Sequence, residues 1–215
     1  MIAADAPARW AQLCRTIRTS ADSQAQSLEW FQQLQTAYAA PDRHYHNFAH
    51  IIDCLTQFDS VRTLARSPAA LEFALWFHDI IYDPRSPINE ESSAALARQF
   101  LLQLGATDTF AQQVNALIIA TKSHQADPGT DTALLIDIDL SIFGQPAAAF
   151  DIYETQIRQE YAWVPAATFA TKRAEILRGF LARPRIYATD FFFSKFESQA
   201  RANLARSLQK LDSSS

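Results

Sequence analysis

The sequence predicts an all-α protein, a single-domain helical bundle of roughly nine or ten helices, and three observations carry that prediction. Glycine is scarce: Gly105, Gly129, Gly144 and Gly179 are the only four, and each falls between apolar-periodic stretches or at the end of one, as helix stops do. Apolar residues recur at three- and four-residue intervals along most of the chain, the spacing that lines one face of a helix. Outside one short segment, nothing alternates with period two or carries a hairpin turn signal, so a strand would have no partner.

The elements follow in order. Met1 to Thr19 carries an acid, mixed bases and a proline but no apolar run, so it does not read as a signal peptide. Leu28, Phe31, Leu34 and Tyr38 form the first clear stripe, closed by Pro41. Pro68 precedes a second at Leu71, Leu75 and Phe77, bounded downstream by Pro84 and Pro87. A third runs through Phe110, Val114, Leu117, Ile118 and Thr121 and stops before Asp127-Pro128-Gly129. The exceptional segment is Leu134 to Leu140, whose acids alternate with aliphatic residues like a buried strand; lacking a partner strand, it is read as helix. Pro146, Pro165 and Pro184 mark further boundaries, and Phe192, Phe196, Ala200, Leu204, Leu208 and Leu211 form the last stripe. With no repeat or linker, one domain over 1–215 is expected, with a core at about 41–204 and a disordered tail at 213–215.

Composition excludes several functions. The chain is 48% hydrophobic and 20% charged, with a net charge of −4, so no basic face invites polymeric nucleic acid or an anionic membrane. No stretch approaches the roughly 20 apolar residues of a membrane span. Cys14 and Cys54 are far apart and in no CxxC pair, which argues against a disulfide scaffold or zinc ribbon and fits a reducing cytoplasm. A Gly-rich phosphate loop, GxGxxG and GxSxG are all missing.

The chemistry concentrates in the histidines. All five, His44, His46, His50, His78 and His124, lie between positions 44 and 124. His46 and His50 have the i, i+4 spacing of a HExxH zinc site, but Asn47 stands where the general-base Glu would be, which sets a zinc protease aside. His78 and Asp79 occur back to back in the apolar run Trp76 to Ile81, where neither is buried cheaply without a partner. Adjacent helical residues project about 100° apart, so both can reach an ion beside the helix. Imidazole and carboxylate ligands suit Mn, Fe, Ni, Co, Mg or Zn. Plainer readings stand beside this one. His78 alone is as readily a core histidine, Asp139 a cap or ion-paired acid with Asp137 as its competitor for the ligand role, His44 a loop residue, and His124 a cation near a helix C-terminus.

The order His, His-Asp, Asp resembles the HD superfamily of metal-dependent phosphohydrolases. The stretches RHYHNFAH, WFHDIIYD, NEESSA, ATKSH, DIDLSIFG, IRQEY and ARANL further resemble a bacterial branch known only as predicted HD phosphohydrolases. The resemblance implies an HD-like helical domain and metal ligands His50, His78, Asp79 and Asp139. Tyr45-His46-Asn47-x-x-His50-x-x-Asp53 is also similar to the YHNxxHxxD signature of cyclic-nucleotide phosphodiesterases in the same superfamily, which implies His46 as the proton donor to the leaving oxygen. Phosphodiesterases carry a further histidine where this chain has Tyr82. The dinuclear HD-GYP and HD-oxygenase patterns need two more histidines before the final Asp, where only His124 is available. A single divalent ion is therefore implied.

The expected activity is hydrolysis of a phosphate ester, a nucleotide or related small phosphorylated metabolite, by metal-activated water. Glu90 and Asp83 are candidates to orient or deprotonate that water, although a helix N-terminal acid and a turn Asp describe them equally well. Arg43, Lys122 and His124, with Arg158 as a weaker candidate, are expected to hold phosphate charge; for Lys122 and Arg158 a solvated helix face is the plainer account. A homodimer is compatible with the sequence. The rivals are a nucleotide-binding HD module without catalysis and a di-iron HD oxygenase.

Overall fold

Helix starts and stops follow local chemistry. In the computed structural model, which describes residues 5–18, 21–125 and 127–213 and only the main chain at 21–23, the described residues form ten α-helices and no strand. They are α1 Ala6–Arg15, α2 Ala21–Tyr38, α3 Phe48–Val61, α4 Pro68–Phe77, α5 Asn89–Leu104, α6 Asp108–Thr121, α7 Asp131–Asp139, α8 Ala147–Glu160, α9 Ala166–Leu181 and α10 Asp190–Ser213. Pro68 occupies the first turn of α4, where its missing N–H is not needed. Thr107 caps α6 by accepting from the Phe110 amide at 3.2 Å. Gly105 closes α5 at φ +97°, a left-handed position that disfavours any side chain. No single described helix is long and apolar enough to cross a membrane.

The chain divides into two compact units, Met1–Ile136 and Asp137–Ser215. In the first, α4 is the core element: every residue from Ala70 to Phe77 is buried. The Trp10 indole packs edge-on against Phe73 and Trp76 and stacks on Phe100, with centroids 5.9, 5.6 and 5.2 Å away. One charge interrupts this helix. Glu72 is buried, and the Arg9 Nε at 2.6 Å together with the Arg62 guanidinium offsets its desolvation. At the far end of the unit the Asp131 carboxylate accepts from the Arg66 and Ser67 amides, both at 2.8 Å, tying the start of α7 to the start of α4.

The second unit contains a 3-10 turn, Leu140–Gly144, followed by α8, α9 and α10. Gly144 is a close-approach glycine: a Cβ there would lie 2.3 Å from the Phe196 Cβ. Asn203 of α10 donates to the Phe143 and Gln145 carbonyls, both at 2.8 Å, closing the turn against that helix.

Two sequence expectations are refined. Leu28 is 59% exposed, so the stripe of α2 runs instead through Trp30, Phe31, Leu34 and Tyr38. The ambiguous segment is helical through Asp139, and Ala133 to Ile138 are all buried, which explains why no one-sided periodicity was visible. Of the tail expected at 213–215, Ser213 ends α10, while residues 214 and 215 lie outside the described residues.

Candidate metal centre

The centre is built at the C-terminal end of α4. His78 is the C-cap and Asp79 stands in the turn after it, so the doublet occupies a helix end rather than a helix interior as its apolar setting suggested. A helix end leaves carbonyls unpaired, and here nearly every one finds a partner. The Ala74 carbonyl accepts from the His78 amide at 2.9 Å and the Phe77 carbonyl from the Ile80 amide at 3.0 Å. Leu75 is paired with His78 Nδ1 at 3.0 Å, and Trp76 accepts from the buried Tyr38 hydroxyl at 2.9 Å. Arg43 donates to Asp79 at 2.5 Å and Ile80 at 2.8 Å. The fully buried Ser93 hydroxyl accepts from the Ile81 amide at 3.1 Å and donates to its carbonyl at 3.2 Å. The turn is thus fixed by side chains from α2, α5 and the loop before α3. The negative end of the α4 dipole faces the same place and favours a cation.

The opposing wall is the start of α3. Asn47 is its N-cap, accepting from the Ala49 and His50 amides at 2.9 and 3.4 Å while its own amide donates to His44 at 2.8 Å. This sets His50, buried at 4% exposure, against His78 at 2%. Their Nε2 atoms are 3.2 Å apart, and Asp79 Oδ2 lies 3.1 Å from His78 Nε2 and 3.7 Å from His50 Nε2. The Leu75 carbonyl at Nδ1 places a proton there, so that in the neutral ring Nε2 offers its lone pair to the triangle. Ligands bonded at about 2.1 Å lie about 3.0 to 3.4 Å from one another around a tetrahedral or octahedral ion. The three atoms match that spacing, with one edge slightly long. Cys54, buried one turn after His50, brings its Sγ to 3.6 Å from His50 Nε2 and 3.8 Å from Nδ1. The ligand atoms of His50, Cys54 and His78 lie within 4.8 Å of one another, close enough to hold a metal ion.

The other expected residues are placed unequally. The His46 ring stacks on Tyr82 with centroids 4.3 Å apart and lies 6.0 Å from the His50 ring, beside the triangle. Arg43 turns both Nη atoms to main-chain carbonyls, of His46 at 3.0 Å besides Asp79 and Ile80, rather than outward as a phosphate holder would. Asp83 is exposed and accepts from the Arg85 amide at 2.9 Å, the geometry of a turn aspartate. Glu90 is half-buried in the first turn of α5. Lys122 pairs with Glu91 at 2.5 Å and with the Pro87 carbonyl at 2.6 Å. His124 follows α6 in a turn with φ +47°, uncommon for a residue with a side chain. Arg158 donates to the Tyr161 and Val164 carbonyls at the end of α8.

The two competing acids of α7 separate clearly. Asp137 is fully buried and accepts from the Ala188 and Thr189 amides at 2.9 and 2.7 Å and from the Thr189 hydroxyl at 2.6 Å. Burial pushes its carboxyl above the usual range, against the opposing pull of those donors. Its oxygens are committed to the segment leading into α10. Asp139 is half-buried and closes α7.

Sequence reading missed Cys54, Tyr38 and Ser93. The His50-x-x-x-Cys54 spacing, two metal-binding types on one helical face, was a usable signal for the first. The other two act through carbonyls thirty-eight and twelve residues away, which no local pattern reveals. No family model, curated protein or solved structure matches the chain.

Proposed function

We propose that the protein is a metal-dependent phosphohydrolase acting on a small phosphate ester, a nucleotide or related metabolite, with one divalent ion held by His50, His78, Asp79 and Asp139. The convergence of His50 Nε2, His78 Nε2 and Asp79 Oδ2, with the His78 proton held on the far nitrogen, carries the reading. Asp139 is assigned by the His, His-Asp, Asp order of the sequence and by the commitment of Asp137 elsewhere. A divalent ion supplies Lewis acidity and lowers the pKa of a coordinated water.

The chain's own groups do the rest. His46, held against Tyr82 beside the triangle, gives its proton to the leaving oxygen. Glu90, half-buried, is assigned the role of orienting water, because the Asp83 carboxylate accepts from the Arg85 amide in a turn. Lys122 and His124 remain the residues for phosphate charge, Lys122 by exchanging Glu91 for the substrate. The test is a screen of mono- and dinucleotides for released phosphate after separate loading with Mn, Mg, Fe, Ni, Co and Zn. Turnover lost in His78→Ala supports the reading. No turnover with any metal, with His78→Ala indistinguishable from wild type, overturns it, and a nucleotide that raises Tm without product identifies a binding module instead.

A further inference from the structure

The geometry points to Arg43 as a positioning residue whose single guanidinium sets the distance between the proton donor His46 and the ligand doublet, an inference that rests on the site proposed above. The loop before α3 and the turn after α4 are thirty-six residues apart in sequence. One nitrogen joins them: Arg43 Nη1 donates to the His46 carbonyl at 3.0 Å and to the Asp79 carbonyl at 2.5 Å. Nη2 extends the grip to the Ile80 carbonyl at 2.8 Å. The guanidinium carbon lies 5.1 Å from the Tyr38 ring centre and 5.6 Å from that of Tyr82. Those two rings are themselves tied to the site, Tyr38 through the Trp76 carbonyl and Tyr82 through the His46 ring stacked on it at 4.3 Å.

Only a planar fork does this. Lysine is a point donor on a flexible stem and cannot hold three carbonyls in fixed directions while lying against two rings. Arg43 therefore acts on the chemistry without touching substrate. It fixes the main chain of Asp79, hence the direction of its carboxylate, and the main chain of His46, hence the approach of its ring. The donors of Arg43 that are engaged here face protein carbonyls, which assigns phosphate charge to other residues.

The experiment compares wild type, Arg43→Lys, Arg43→Ala and His78→Ala. Amide exchange of residues 79–82 in the metal-free protein is expected to be at least about tenfold faster in both Arg43 variants. Co(II) affinity by titration is expected to fall by about tenfold or more, against complete loss in His78→Ala. Millimolar guanidinium is expected to restore much of the affinity to Arg43→Ala, which has room for the ion, and none to Arg43→Lys. Wild-type exchange at 79–82 in both Arg43 variants overturns the inference. So does wild-type Co(II) affinity, or a lowered Tm accompanied by neither local change nor rescue. If wild type binds no Co(II), the proposed function fails, while the exchange rates still decide whether Arg43 is the clamp.

Discussion

The turn after α4 and helix α7 each place an aspartate among buried groups, and the protein treats the two in opposite ways. At Asp137 the protein supplies three donors, two amides and a hydroxyl, so the carboxylate is satisfied by its own fold. At Asp79 donors are supplied to the neighbouring carbonyls, and the carboxylate oxygen is turned toward two imidazole nitrogens. One of those nitrogens, His78 Nε2, offers a lone pair in the neutral ring, whose proton the Leu75 carbonyl holds on Nδ1. An acid held by three donors of the fold is structural, whereas one converging with two imidazole nitrogens has a geometry suited to a cation.

Substitution should separate the two. Asp79→Asn is expected to weaken divalent-ion affinity by more than about 100-fold while changing the unfolding free energy of the metal-free protein by less than about 1 kcal/mol, read by titration and urea unfolding. Asp137→Asn should show the reverse. Either orientation of the new amide turns its NH2 toward one main-chain donor, the Ala188 or the Thr189 amide, costing about 2–4 kcal/mol in urea unfolding with ion affinity kept within a few-fold. If both variants behaved alike, the distinction between the two acids would be wrong.

Smaller effects sharpen the same contrast. Tyr38→Phe removes the donor to the Trp76 carbonyl at the end of α4 and is expected to cost about 1–2 kcal/mol by urea unfolding. The two thiols differ as well. Burial pushes Cys14 up to about 11, so at pH 8 only about one part in a thousand is thiolate and alkylation should be slow in the folded protein. Peptide mapping after iodoacetamide treatment checks this; rapid modification of Cys14 would show that its burial is not maintained.

The sequence made much of the fold legible because helix periods, scarce glycines and prolines are local signals, as α6 and α10 show. It was ambiguous in α7, where burial on all sides of residues 133–138 erased periodicity. At the site, the composition of the His and Asp doublet was visible, but its position was not: an apolar run reads the same inside a helix and at its end. Asp137 and Asp139 were indistinguishable because what separates them is Thr189, fifty-two residues from Asp137. Arg43 was legible as a cation near the site. Which oxygens it faces depends on Asp79 and Ile80, brought to it only by the packing of α4 against α3.

The most direct test of the centre is nitrogen NMR of the histidine rings during titration with Zn(II), which is diamagnetic. Saturation at one equivalent is predicted, with the Nε2 resonances of His50 and His78 moving to metal-bound positions while His78 Nδ1 keeps its proton. Unchanged rings at His50 and His78, or a response confined to His44 and His124, would contradict the account.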